Sequence, residues 1–233
     1  MNILGLDTAT ESCSAALCVD GDILSAYHET KCRGQSEILF SMLEKIFNEA
    51  SFKPIDLDLI STTVGPGSFT GLRIGISAAR GLGLATKTQC HGVTTTEAII
   101  ESLPKDMFER VPVLVILDSK RDDWFVQAFG IDRVPICEIR AIHPNEINAW
   151  LSLNISGQEV SIVGNAADLA VSFLKKGSWK INMIEHSGVP DAQTVATFSF
   201  ARWKLGVPLR EPIPIYIRPP DAKIPKSEGR LRP

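Results

Sequence analysis

Gly65-Pro66-Gly67-Ser68-Phe69-Thr70-Gly71-Leu72-Arg73-Ile74-Gly75 joins two apolar runs, and its reading decides the fold. The run before it, 55–64, reads as a strand, and the run it opens, 70–85, reads as a helix. Proline fixes φ and glycine permits positive φ, so Gly-Pro-Gly forces a sharp turn between them. Ser68 or Thr70 can cap the first free N–H groups of the helix. Inside the helix, Gly71, Gly75, Ala79 and Gly83 recur every fourth residue. Each interior glycine costs about 0.5–1 kcal/mol against alanine. Three on one stripe imply that another backbone lies very close to it.

A glycine-rich turn from strand to helix can also cradle a phosphate. The P-loop signature ends in Gly-Lys-Ser/Thr, whereas Gly71 is followed by Leu72-Arg73. The dinucleotide pattern fails as well, because Thr70 stands where its third glycine belongs. Packing, not phosphate binding, is the reading these residues favour.

Outward from the turn, the first 30 residues read as three antiparallel strands, with Asp20-Gly21 as a hairpin signal. Residues 35–50 form an amphipathic helix with Ile38, Leu39, Met42, Leu43, Ile46, Phe47 and Ala50 on one wide face. Thr94 to Glu97 reads as a helix start, and 104–110 as a linker. An apolar strand over 111–117 then ends in Asp118, followed by a polar turn and a second strand over 124–129. This repeats the beginning of the chain, where the strand carrying Leu6 ends in Asp7. Two related halves are expected, divided as 1–104 and 105–210. The proline-rich remainder, 211–233, reads as a tail with no core of its own.

The 233 residues carry a formal net charge of −3, which disfavours a stand-alone nucleic-acid binder. No apolar run is long enough to span a membrane, and no signal peptide is seen at the start. The five cysteines form no C-x-x-C pair, so they read as neutral thiols in a reducing compartment. His28, His91, His143 and His186 never meet the i, i+4 spacing that sets two metal ligands on one helix face. Gly67-Ser68-Phe69-Thr70-Gly71 comes near a nucleophile elbow but puts the serine out of place. The turns after Asp7 and Asp118 lack the glycines that wrap backbone N–H groups round a phosphate.

The block Gly65 to Ala85, with the opening MNILGLDTATESCSAAL and Tyr216-Ile217-Arg218, resembles the TsaB (YeaZ) family. The resemblance covers Asn2 to about Glu97 and thins after Asp118. It implies an α/β fold of two subdomains of the actin/sugar-kinase/Hsp70-like kind, the second reduced. It also implies a non-catalytic, cytoplasmic subunit of the machinery that makes threonylcarbamoyl-adenosine in tRNA. The implied partners are a TsaD-like catalytic paralogue and a TsaE-like ATPase. Transfer RNA would be met only through the complex, and the free chain can pair as a homodimer. Catalytic relatives depend on a His-x-x-x-His helix motif, whereas this chain reads Gln35-Ser36-Glu37-Ile38-Leu39. No metal and no cofactor are therefore expected. At most, vestigial ATP or ADP binding would involve Asp7, Thr8 and Asp118. The partner face is expected on the two helices, through Ile38, Leu39, Met42, Leu43, Ile46, Gly71, Leu72, Gly75, Ala79 and Leu82. On that expectation Gly75→Leu weakens partner binding far more than stability. The alternatives are a free-standing nucleotide-binding phosphotransferase of the same fold and, behind it, a metalloprotease.

Overall fold

The computed structural model describes residues 1–30, 34–104, 107 and 111–218. Strands β1 (Asn2–Asp7), β2 (Cys13–Val19) and β3 (Asp22–Glu29) form the expected meander. Asp20 and Gly21 both take positive φ, 52° and 101°, as the tight hairpin between β2 and β3 requires. After helix α1 (Gln35–Glu49), strands β4 (Leu59–Thr63) and β5 (Gln89–Val93) extend the sheet in parallel beside β1. Helix α2 (Phe69–Thr86) is the crossover between them. The strand order is β3-β2-β1-β4-β5. The strand expected over 55–64 is shorter than its apolar run because Pro54 starts a 3-10 turn over Pro54–Asp56.

Helix α3 (Thr95–Ser102) opens on a capping box, with the Thr94 hydroxyl accepting from Glu97 N–H and the Glu97 carboxylate accepting from Thr94 N–H. The second sheet follows: β6 (Val113–Asp118), β7 (Trp124–Phe129), β8 (Arg140–Ile142), β9 (Glu159–Val163) and β10 (Lys180–Met183). Its order is β10-β9-β6-β7-β8, with β6 antiparallel to β7 and parallel to β9. Strand for strand this repeats the first sheet, and β6 with its terminal Asp118 stands where β1 stands with Asp7. Helices α4 (Ile147–Asn154) and α5 (Ala167–Leu174) cover one of its faces. Strands β8 and β10 escape sequence reading because three or four half-exposed residues are too few for a visible alternation.

The last helix, α6 (Ala192–Lys204), comes from beyond the second sheet yet returns to the first. Ala192 N–H donates to the Ser14 hydroxyl at 2.9 Å. Gly5 is a glycine because a side chain there would strike α6: its Cβ would lie 2.9 Å from Ala196 Cβ. The first sheet is thus buried on both faces, by α1 and α2 on one and by α3 and α6 on the other.

The segment 207–218 is not a free tail. Ile215 N–H donates to the Val64 carbonyl at 2.8 Å, and the Ile215 side chain joins Ala9, Val64, Leu72 and Ile76. The remainder of the expected tail and most of the expected linker over 104–110 lie outside the described residues.

Candidate functional site

Helices α1 and α2 lie side by side on one face of the first sheet and leave a groove of about 880 Å³ between their outer sides. Phe40 from α1 and Phe69 from the start of α2 line it, and they are 61% and 56% exposed. Leu43, Phe47, Ile74 and Leu82 form its apolar walls, while Ser77 and Gly81 leave room along it. Arg73 and Glu44 supply charge in the lining.

Ser68 sets this geometry by capping α2: its hydroxyl accepts from Gly71 N–H at 3.2 Å. Gln35, at the first position of α1, ties that helix to the turn between β1 and β2 in the first lobe, the half built on the first sheet. Its Nε2 donates to the carbonyls of Thr10 at 3.0 Å and Ser12 at 2.8 Å. One amide nitrogen carries two N–H groups and serves both carbonyls at once.

The ten residues expected at a partner face divide. Ile38 and Leu82 are half-buried, and Leu43 and Leu82 line the groove. Leu39, Met42, Ile46 and Leu72 are buried against the chain's own core, at 0%, 6%, 0% and 2% exposure. The stripe Gly71, Gly75, Ala79 and Gly83 is buried too. A Cβ at Gly71 would overlap the Thr8 carbonyl, one at Gly75 would lie 2.5 Å from Thr8 Oγ1, and one at Gly83 2.5 Å from Cys90 Sγ. The small residues therefore admit the first-lobe turn and β5, not a partner. What lines the groove lies one step round α2: Arg73, Ser77, Gly81 and Ala85, again spaced by four. Sequence reading missed Phe40, Phe69 and Arg73. The signal for Phe40 was an aromatic ring just beside the apolar stripe of α1.

The three residues considered for nucleotide have separate duties. Asp7 is completely buried, and its Oδ1 accepts from Thr63 Oγ1 at 2.7 Å and from Ala9 N–H at 3.1 Å. Its Oδ2 has no hydrogen-bond partner. Burial pushes its carboxyl up to about 7. The Thr8 hydroxyl donates to the Gly71 carbonyl at 2.7 Å and accepts from Gly75 N–H at 3.1 Å, so it belongs to α2. Asp118 lies at the surface of the second lobe's turn, 3.1 Å from Lys120 Nζ, which also reaches Glu11 of the first lobe at 2.8 Å. The Lys120 ammonium thus stands between the two turns.

The buried carboxyl of Asp7 gives a pH dependence. It stays neutral to about pH 7 in the folded chain but ionises near 3.8 when exposed. Between those values the folded chain keeps a proton that the unfolded chain has lost. Stability therefore falls as pH rises through this window, by at most about 1.4 kcal/mol per pH unit. Asp7→Asn is expected to flatten that slope, read as melting temperature between about pH 4 and about pH 7. An unchanged slope in Asp7→Asn would assign it to another group.

The histidines stay apart. His91 is buried with its Nδ1 accepting from Arg210 N–H at 2.9 Å, and burial pulls it down to about 4. His186 bonds Ser102 at 2.9 Å, and His143 caps a 3-10 turn. Among the described residues, no group of three or more His, Cys, Asp or Glu side chains is placed to hold a metal ion. Nor is any described helix long and apolar enough to cross a membrane.

A family model described as "TsaD: tRNA N6-adenosine threonylcarbamoyltransferase" matches residues 29–226. The tRNA threonylcarbamoyladenosine biosynthesis protein TsaB of Escherichia coli (strain K12) is 40% identical over 95 residues, 41% of this chain and 41% of that protein. The chain thus matches about two fifths of that relative's length. YeaZ from Pseudomonas aeruginosa superposes with a TM-score of 0.73 at 20% identity, covering 92% of this chain and 99% of that one. An activator of 2-hydroxyisocaproyl-CoA dehydratase from Clostridium difficile, solved with bound ADPNP, gives 0.51 at 12% identity over 88% of this chain and 97% of its own. These superpositions show the fold, which is the actin/sugar-kinase/Hsp70-like one. With the paired sheets, the Gly65–Gly75 turn and the matched span together, the chain belongs to the family that the TsaD model describes, and over 95 of its residues it is similar to TsaB.

Proposed function

We propose that this chain takes part in threonylcarbamoyl-adenosine synthesis on tRNA as a non-catalytic subunit. Its task is to dock a TsaD-like catalytic paralogue in the groove between α1 and α2. The observation that carries this is the groove itself, an open apolar channel flanked by Phe40 and Phe69 with charges among its lining. Two large exposed aromatic rings on a concave apolar face suit a protein contact, and a groove between two helices suits a helix of the partner. The same surface can pair two copies of the free chain as a homodimer. A TsaE-like ATPase joins the complex, tRNA is met only through it, and the site of action is the cytoplasm.

The two turns support the absence of chemistry in the chain itself. Neither wraps a phosphate with glycine amides, the Thr8 hydroxyl is committed to α2, and Lys120 stands between Glu11 and Asp118. One observation favours a second reading, a free-standing phosphotransferase: Asp7 keeps a buried oxygen without a partner. A metalloprotease has no such support.

Reconstitution separates these readings. Purified TsaD-like paralogue is expected to modify tRNA only when this chain is added, and the chain alone is expected to show no ATP turnover. Robust ATP hydrolysis by the chain alone, lost in Asp7→Asn, would establish the phosphotransferase instead.

A further inference from the structure

After α6 the described residues hold no further helix or strand, yet 207–218 is pinned at nearly every step. The Arg210 carbonyl accepts from Gly92 N–H at 2.8 Å, and its guanidinium pairs with Glu97. Pro212 is buried against Gly92, where even a Cβ would come within 3.1 Å of Pro212 Cα. Ile215 follows on Val64. All of these anchors lie on the first lobe.

The last described residues reach two different places. The Tyr216 ring lies 5.7 Å from the Phe69 ring, and its hydroxyl accepts from Arg73 Nε at 3.2 Å. The Arg73 guanidinium sits 3.7 Å over the centre of Phe69. Phe69 and Arg73 both line the groove, so Tyr216 rests on two of its lining side chains. Two residues on, Arg218 leaves the first lobe. It donates to Ser119 Oγ at 2.8 Å, pairs with Asp123 and lies 5.4 Å from the centre of the Phe125 ring. Ser119 and Asp123 form the turn that follows β6, and Lys120 ties the same turn to Glu11. Extended backbone advances about 3.3 Å per residue, so these two anchor points are separated by only about 7 Å of chain. Such a short link transmits a displacement instead of absorbing it.

We propose that 207–218 is a clasp that couples the groove to the cleft between the lobes. In the clasped state Tyr216 rests on Phe69 and Arg73 while Arg218 holds the second lobe's turn against the first. In the released state both contacts are lost together. Whatever displaces Tyr216 from the groove frees the turn that Asp118 begins, and whatever parts the lobes alters the groove to the same degree, because a coupling free energy is reciprocal. The identity of the displacing group as a docked paralogue rests on the function proposed above. The coupling itself is a property of the free chain.

The test uses the free, full-length protein and amide hydrogen exchange read by mass spectrometry. Arg218→Ala is expected to raise exchange across 119–123 by about fivefold or more, the lower range of measured site-to-site couplings. Arg73→Ala touches only the first lobe, yet it is expected to raise exchange across 119–123 in the same direction. If Arg73→Ala lowers the melting temperature globally, Tyr216→Phe replaces it, removing one hydroxyl while keeping the ring. Wild-type exchange across 119–123 in the Arg73 or Tyr216 variant, with an increase in Arg218→Ala, would overturn the coupling. No increase in Arg218→Ala would overturn the clasp outright. Intact coupling in a chain that fails to bind a TsaD-like paralogue would refute the docking function and leave the clasp standing.

Discussion

Gly75→Leu is expected to cost about 2–6 kcal/mol of folding stability, a large share of the total that holds a chain of this size folded. A Cβ at this position would lie 2.5 Å from Thr8 Oγ1 and 3.0 Å from Thr62 Oγ1. The hydroxyl it would displace is buried and bonded on both sides, donating to the Gly71 carbonyl and accepting from Gly75 N–H. Overpacking alone costs about 1–3 kcal/mol. A buried hydroxyl that loses its partners adds about 1–3 kcal/mol more. For a chain of this length the melting temperature should fall by about 4–24 °C. The sequence had suggested a loss of partner binding with stability spared. The buried stripe reverses that, because the backbone that Gly75 admits is the chain's own. A variant that melts like the wild type would show that the Thr8 turn does not press on α2 as described.

What was legible in the sequence were the signals that act locally. Asp20-Gly21 prescribes a hairpin through positive φ, Ser68 prescribes a helix start, and Thr94 with Glu97 prescribes a capping box. The repeated strand-Asp-turn-strand unit was also visible, since Asp7 and Asp118 end like strands of like-ordered sheets. Which face of α2 meets the sheet was not. Residues spaced by four begin equally well at Gly71 or at Arg73, and only the approach of the Thr8 carbonyl decides between them. The return of α6 to the first sheet was hidden for a similar reason: its partner Ser14 lies 178 positions away. The stretch from 211 onward read as a tail because it is rich in proline and its few apolar side chains show no periodicity. The order of 207–218 comes from long-range bonds to Val64, Gly92, Arg73 and Asp123.

Gly81→Arg should do what Gly75→Leu cannot, and separate binding from folding. Gly81 is exposed on α2, and a Cβ there meets nothing within 4 Å. Arginine is a better helix former than glycine by about 0.8–1 kcal/mol, so the free chain should be as stable as the wild type or slightly more so. Yet Gly81 lines the groove between α1 and α2, and the new side chain would put bulk and a charge into an apolar channel. Loss of a well-packed central contact costs about 2–4 kcal/mol of binding, which corresponds to about 30-fold to 1,000-fold in affinity. The decisive measurement is a calorimetric titration of a purified TsaD-like paralogue with wild-type chain and with Gly81→Arg, alongside their melting temperatures. A docking groove predicts wild-type binding, an affinity weaker by about 30-fold or more in Gly81→Arg, and no loss of melting temperature. Equal affinity of both proteins for the paralogue would contradict it.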